Sequence, residues 1–154
     1  MPTKVFAAIM LTEMMESPGA TLLLTRLSRA VYRRANEDVL GMKMKEFVAL
    51  SYLRHASGVI GQRELSERLM LDPNNTVLLL NALEMRDFAE RKRHPDDRRR
   101  HIVEITPDGA AALERAERAM DSLEADVLRG LSEEERATLR DLLQRALQGV
   151  PVEA

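Results

Sequence analysis

The chain has 154 residues, a formal net charge of −2, 45% hydrophobic and 31% charged residues, and no Cys. That length holds one domain with a core of its own, without disulfide or metal staples. The missing Cys excludes disulfides, a thiolate nucleophile, a Cys-based zinc site and a cysteine redox switch, and the composition reads as that of a globular cytoplasmic protein.

The first apolar run, Val5 to Leu11, is far shorter than the roughly 20 residues a bilayer needs, so no membrane partner is expected. Residues 1–19 read as an N-terminal extension closed by Pro18-Gly19. The segment is either exchanged onto a partner subunit or a loosely packed tail. From Ala20 to Val39, Leu23, Leu24, Leu27, Val31 and Ala35 fall at helical spacing, and Gly41 stops the helix. A second helix follows over Lys45–Ala56, with Phe47, Val48, Leu50 and Leu53 inward. Gly58 and Gly61 lead to a short helix over Gln62–Met70.

Asp72 with Pro73 is an N-cap followed by a residue whose missing N–H costs nothing, so a helix runs from Pro73 to about Arg86. Leu79, Leu80 and Leu83 form its buried stripe. Asp87 stands where the chain turns, and Asp tolerates a left-handed conformation better than most residues. Ala89–Arg93 and His101–Ile105 read as two strands joined by the turn chemistry of Pro95-Asp96-Asp97. Thr106-Pro107 caps a long helix to about Arg129. On it Leu113, Ala116, Met120, Leu123 and Val127 repeat every three or four residues, as in a coiled-coil seam. Ser132 and Glu135 make a capping box for the last helix, with Leu139, Leu142, Leu143, Ala146 and Leu147 inward.

The charge is unevenly spread. Residues 1–61 carry net +3, residues 62–101 net +1, and residues 102–154 net −6. The stretch RKRHPDDRRRH, Arg91 to His101, holds six Lys/Arg against two Asp. In isolation such a run reads as a solvated face. Here it forms the tip of a hairpin that follows two helices joined by a tight turn. That order is a winged helix-turn-helix, whose second helix fits the major groove of DNA and whose wing reaches the flanking backbone or minor groove. The fold expected is mainly α with a small β-hairpin. Residues 43–105 would form the DNA-binding lobe, and residues 20–42 and 106–154 the dimerisation helices, in one compact domain.

The run LMLDPNNTVLLLNALEMRDFAERKRHPDDRRRHIVEITPDG, residues 69–109, resembles the signature of the MarR family of bacterial transcriptional regulators. The resemblance rests on Leu83-Glu84, then Asp97-Arg98-Arg99, then Ile105-Thr106-Pro107-Asp108-Gly109 at matching spacing, and it extends over roughly residues 20–148. The chain departs from the family in having Asp87 where Gly is usual. It also has Leu78 and Ala82 where hydroxyl or basic residues are common, so its recognition helix carries no cation before Arg86.

The groove-facing residues expected are Asn74, Asn75, Val77, Leu78 and Asn81, although helix register also allows Leu78 a place in the core. Asn pairs with adenine through both ends of its amide, and Val or Leu packs on thymine methyls, which implies readout weighted toward A·T. The resemblance implies that Arg99 enters the minor groove, that Asp97 holds it through an ion pair, and that Lys92, Arg93, Arg98 and Arg100 take phosphates. The apolar terminal helices and the resemblance together imply a twofold homodimer on a palindromic double-stranded site. The resemblance further implies a small aromatic ligand in a cleft lined by Arg29, Tyr32, Tyr52 and His55.

No catalytic residues, cofactor or metal are expected. His55, His94 and His101 lie in no HExxH pattern, and the chain has no Gly-rich phosphate loop or G-x-S-x-G elbow. The function expected is a ligand-released transcriptional repressor. The alternative is a non-catalytic architectural or protein-interaction module with little DNA sequence preference.

Overall fold

The computed structural model describes residues 18–150. Seven helices and three strands follow in the order α1 (Ala20–Arg34), α2 (Glu37–Leu40), α3 (Met44–His55), β1 (Val59–Gly61), α4 (Gln62–Arg68), α5 (Pro73–Met85), β2 (Ala89–Arg93), β3 (His101–Ile105), α6 (Pro107–Val127) and α7 (Glu133–Gln148). The strands form one antiparallel sheet in the order β1-β3-β2. Both hairpin strands and the caps at Asp72, Thr106 and Ser132 lie where the sequence places them.

Two expectations are corrected. The helix predicted over Ala20–Val39 breaks at Ala35, because the Asn36 side chain accepts the Val39 N–H at 3.1 Å and starts the separate helix α2. Gly41, at φ 70°, ends α2 and turns the chain into α3. The sheet also has a third strand, β1, whose Ile60 pairs with Val103. A strand of three residues, the last of them the N-capping Gly61, is too short to display an alternating pattern.

One core, centred on Met42, Leu50, Leu53, Leu80, Leu83 and Leu113, runs through α2, α3, α5 and α6. The Leu113–Val127 stripe of α6 is part of it. Leu113 and Ala116 are fully buried and Leu123 nearly so within the single chain, so this stripe faces its own chain rather than forming a seam between chains. Glu46 is only 3% exposed. Its carboxylate accepts the Lys43 N–H at 2.9 Å, closing the first turn of α3, and pairs with Arg86 Nη1 at 3.0 Å. Arg86 also donates to the Gly41 carbonyl and lies 4.5 Å over the Phe88 ring. The sole cation of the predicted recognition helix is therefore spent joining that helix's end to the α2–α3 corner.

Met70 sits after α4 at φ 50°, with its side chain 84% exposed. A left-handed conformation costs an ordinary side chain roughly 1–2 kcal/mol, and glycine escapes most of that while gaining unfolded-state entropy. Met70→Gly is expected to stabilise the protein by about 0.5–1 kcal/mol, read as a raised urea midpoint at unchanged slope; a lowered midpoint would contradict it.

Candidate nucleic-acid interface

Helices α4 and α5 are fixed to each other by two hydroxyls, that of the buried Thr76 and that of the half-buried Ser66. Thr76, on the inner face of α5, lies 2.8 Å from Ser66 on α4 and donates to the Asp72 carbonyl at 2.9 Å. Thr76 therefore accepts from Ser66, whose one hydroxyl hydrogen is shared between Thr76 Oγ1 and the Leu71 carbonyl, each 2.8 Å away. A buried hydroxyl without a partner costs about 1–3 kcal/mol, so this chain of bonds sets one angle between the helices. In the sequence Ser66 and Thr76 are inconspicuous. Their only signal is a pair of hydroxyls on either side of a turn.

With Thr76, Leu79, Leu80 and Leu83 inward, α5 turns Asn74, Asn75, Val77, Leu78 and Asn81 outward together. Leu78 is 65% exposed, so it belongs to the outer face and not to the core. Asp72 caps α5 by accepting the Asn75 N–H at 2.9 Å. That bond, followed by one from the Asn75 side chain, holds the Asp72 carboxyl below its ordinary pKa.

The wing is tied to the same helix. Arg91, on β2, donates to Glu84 through its backbone N–H at 2.9 Å and through Nε at 3.0 Å, and reaches Asn81 Oδ1 through Nη2 at 2.6 Å. The hydrogen bonds from Arg91 depress the Glu84 pKa, and the same contact raises that of Arg91. Leu83-Glu84 in the sequence thus combines a core residue with the anchor of the wing.

Lys92 is engaged by Glu104 and Glu90, and hydrogen bonds to them raise its pKa. Arg93 donates to the Arg98 carbonyl at 2.9 Å. Arg98, Arg99 and Arg100 are exposed and form no ion pair among the described residues. The expected Asp97–Arg99 ion pair is not formed. Asp97 Oδ1 instead accepts the Arg99 backbone N–H at 3.0 Å, and its carbonyl accepts the Arg100 N–H at 2.9 Å. An Asp side chain that bonds the backbone two residues on builds the turn itself, which leaves the Arg99 guanidinium uncommitted.

Arg29 and Tyr32 lie on α1, along an open hollow shared with Leu23, Arg26, Leu27 and Arg33. Tyr52 and His55 lie on α3 and do not line it; Tyr52 is half-buried, and His55 is exposed with Nδ1 2.7 Å from the Ser51 carbonyl. The single chain therefore does not gather the four predicted ligand residues into one cleft. Helices α1 and α7 have no buried residue, and Leu22, Leu23, Leu24, Leu142 and Leu147 are exposed on them. The expectation that the α7 leucines point inward is met only in part. Leu139 and Leu143 line a groove of about 210 Å³ with Leu27, Val31 and Leu123, while Leu142 and Leu147 face out. Among the described residues no helix is long and apolar enough to cross a membrane.

A helix pair with a fixed crossing, an uncovered second helix and a cation-tipped hairpin hydrogen-bonded to it together have the construction of a winged helix-turn-helix. Comparison with known proteins agrees, as residues 42–101 match the model of the MarR family. The chain is 33% identical over 109 residues to the multiple antibiotic resistance protein MarR of Salmonella typhimurium, covering 70% of this chain and 75% of that one. It is 36% identical over 86 residues to a protein of Thauera aromatica named for transcriptional regulation of the hcr operon. That match takes in 56% of this chain and about half, 52%, of the relative. Its fold superposes on a MarR variant from E. coli solved with operator DNA, with a TM-score of 0.70, 27% identity, and coverage of 82% of this chain and 92% of that one. The chain belongs to the MarR family of transcriptional regulators.

Proposed function

We propose that the protein is a homodimeric repressor that binds a palindromic double-stranded DNA site and is released by a small aromatic ligand. The observation that carries this reading is the joint exposure of Asn74, Asn75, Val77, Leu78 and Asn81 on α5 beside the unpaired Arg98, Arg99 and Arg100 of the wing. The helix supplies groups that distinguish base edges, and the wing supplies charge that is indifferent to sequence. Arg99 takes the minor groove, while Arg93, Arg98 and Arg100 take phosphates. Lys92 is the weakest of the wing contacts, because two carboxylates already hold it. The relative solved with operator DNA supports double-stranded DNA as the partner.

The uncovered leucines of α1 and α7 support dimerisation, since each buried Leu contributes about 1.5–3 kcal/mol. A dimer lying across a promoter blocks access to it, which makes repression the simplest consequence. A ligand bound in the α1 hollow at Arg29 and Tyr32 would act on the spacing of the two recognition helices through the dimer helices.

The test is selection of bound duplexes from a random pool. Enrichment of a palindrome with half-sites about one helical turn apart is expected. Arg99→Ala should weaken binding to every duplex and lower the salt slope by about one unit. Equal retention of all sequences would replace this reading with that of an architectural module.

A further inference from the structure

We propose that α5 reads the major groove with two asparagines of fixed and opposite polarity, Asn75 as an acceptor and Asn81 as a donor, with Arg91 as the positioning residue for Asn81. The inference rests on the reading of α5 as the recognition helix. An asparagine amide that is free to turn can offer either end, and recognition of adenine uses both ends at once. Neither asparagine is free. Arg91 Nη2 is 2.6 Å from the Asn81 side chain, and a guanidinium has donors only, so the atom it meets is the carbonyl oxygen. Asp72 Oδ2 meets the Asn75 side chain, and an ionised carboxylate accepts only, so the atom it meets is the amide nitrogen. Chemistry therefore settles both amide orientations.

The two constraints have opposite consequences. Asn81 has its oxygen turned toward the wing and offers Nδ2–H outward, which suits guanine O6 or N7, adenine N7 or thymine O4. Asn75 has its nitrogen turned toward the cap and offers Oδ1, which suits cytosine N4 or adenine N6. Leu78 lies three residues from each and projects between them as an apolar group for a thymine methyl. The helix thus presents acceptor, methyl contact and donor in order over six residues, about 9 Å of axis. This replaces two interchangeable adenine contacts with two different one-sided ones.

Arg91 is held in turn by Glu84 through three hydrogen bonds, so the hairpin that carries the phosphate contacts also sets the polarity of a base contact. The wing then contributes to specificity without touching a base.

The experiment is a scan of every single base-pair change in the selected half-site, titrated with wild type, Asn81→Ala, Arg91→Met and Asn81→Asp. Asn81→Ala identifies the position that Asn81 reads. At that position Arg91→Met should lose about 10-fold in discrimination while discrimination at the other positions of the half-site is kept, an outcome that simple loss of structure does not give. Asn81→Asp keeps Arg91 as partner but removes the donor, so its preferred base should change to one presenting a donor. Wild-type discrimination in Arg91→Met, or an unchanged base preference in Asn81→Asp, would overturn the proposal. So would a roughly 10-fold loss for wild type when purine, which lacks the N6 amino group, replaces adenine there, the mark of two-ended adenine pairing. If wild type selects no sequence at all, this proposal and the reading of function fall together. If it selects one and only the variant results fail, the function stands without this device.

Discussion

Gly109→Ala is expected to cost about 3 kcal/mol or more of folding stability, although it adds one methyl group. A Cβ at Gly109 would lie on the Phe88 peptide group, 2.7 Å from its carbonyl carbon and 2.9 Å from its Cα. These are backbone atoms, so no side chain can turn aside. Nor is the Phe88 peptide free to move. Its carbonyl accepts the Thr106 N–H at 3.1 Å, its own N–H donates to Leu83 at 2.9 Å, and the Thr106 hydroxyl both bonds the neighbouring Asp87 carbonyl and accepts the Gly109 N–H. Overpacking of this kind costs 1–3 kcal/mol where side chains can yield, and more where they cannot. Against a total stability of about 5–15 kcal/mol, the variant should show a large drop in urea midpoint. Operator binding should fall with it, since this contact joins the end of α5 to the start of α6. A stability within about 1 kcal/mol of wild type would mean that α6 does not approach Phe88 so closely. The Gly that closes the Ile105–Gly109 motif is thus required by a close backbone approach, its φ being ordinary.

What the sequence shows clearly is what a few adjacent residues decide. Asp72-Pro73, Thr106-Pro107 and Ser132 with Glu135 each complete a cap within four residues, and all three helices start there. Pro95-Asp96-Asp97 fixes the wing turn in the same local way. The break at Asn36 was hidden because Leu23 to Ala35 keep helical spacing up to the break itself. An Asn in a long apolar-striped segment reads as a solvated helix residue until its side chain is found accepting from Val39.

Other features depend on residues far apart in the chain. Glu46 and Arg86 meet across 40 residues, and Asn81 meets Arg91 across the α5–β2 turn. In sequence each of these is only one more charged or polar residue. The α6 stripe shows a third limit. A spacing of three and four residues says that Leu113, Ala116 and Leu123 are covered, but not by which chain, and here the cover is α1, α2 and α3 of the same chain. The apolar residues left for a partner lie on α1 and α7.

Replacing Leu142 and Leu147 together with glutamate is expected to convert the protein to a monomer at micromolar concentration while sparing the fold of each chain. These side chains are 52% and 70% exposed in the single chain, and α7 has no buried residue, so the substitutions remove little that the chain itself uses. In a dimer they would place carboxylates in the apolar contact, and an unpaired buried charge costs several kcal/mol. Leu123 would not serve the same purpose. At 8% exposure it belongs to the chain's own core, and a charge there would unfold the protein before it reported on assembly. The consequence for DNA is larger than for stability. Two linked lobes bind a palindrome with the second contact made effectively intramolecular, a gain of about 10²–10⁴ in affinity. The double variant should lose that factor on the full palindrome and bind an isolated half-site as wild type does. Sedimentation and titration on both duplexes check the two expectations separately. A double variant that remains dimeric would show that α7 is not the interface. A monomeric variant with undiminished affinity for the palindrome would show that the lobes bind DNA independently, and the twofold site would then have no mechanical basis.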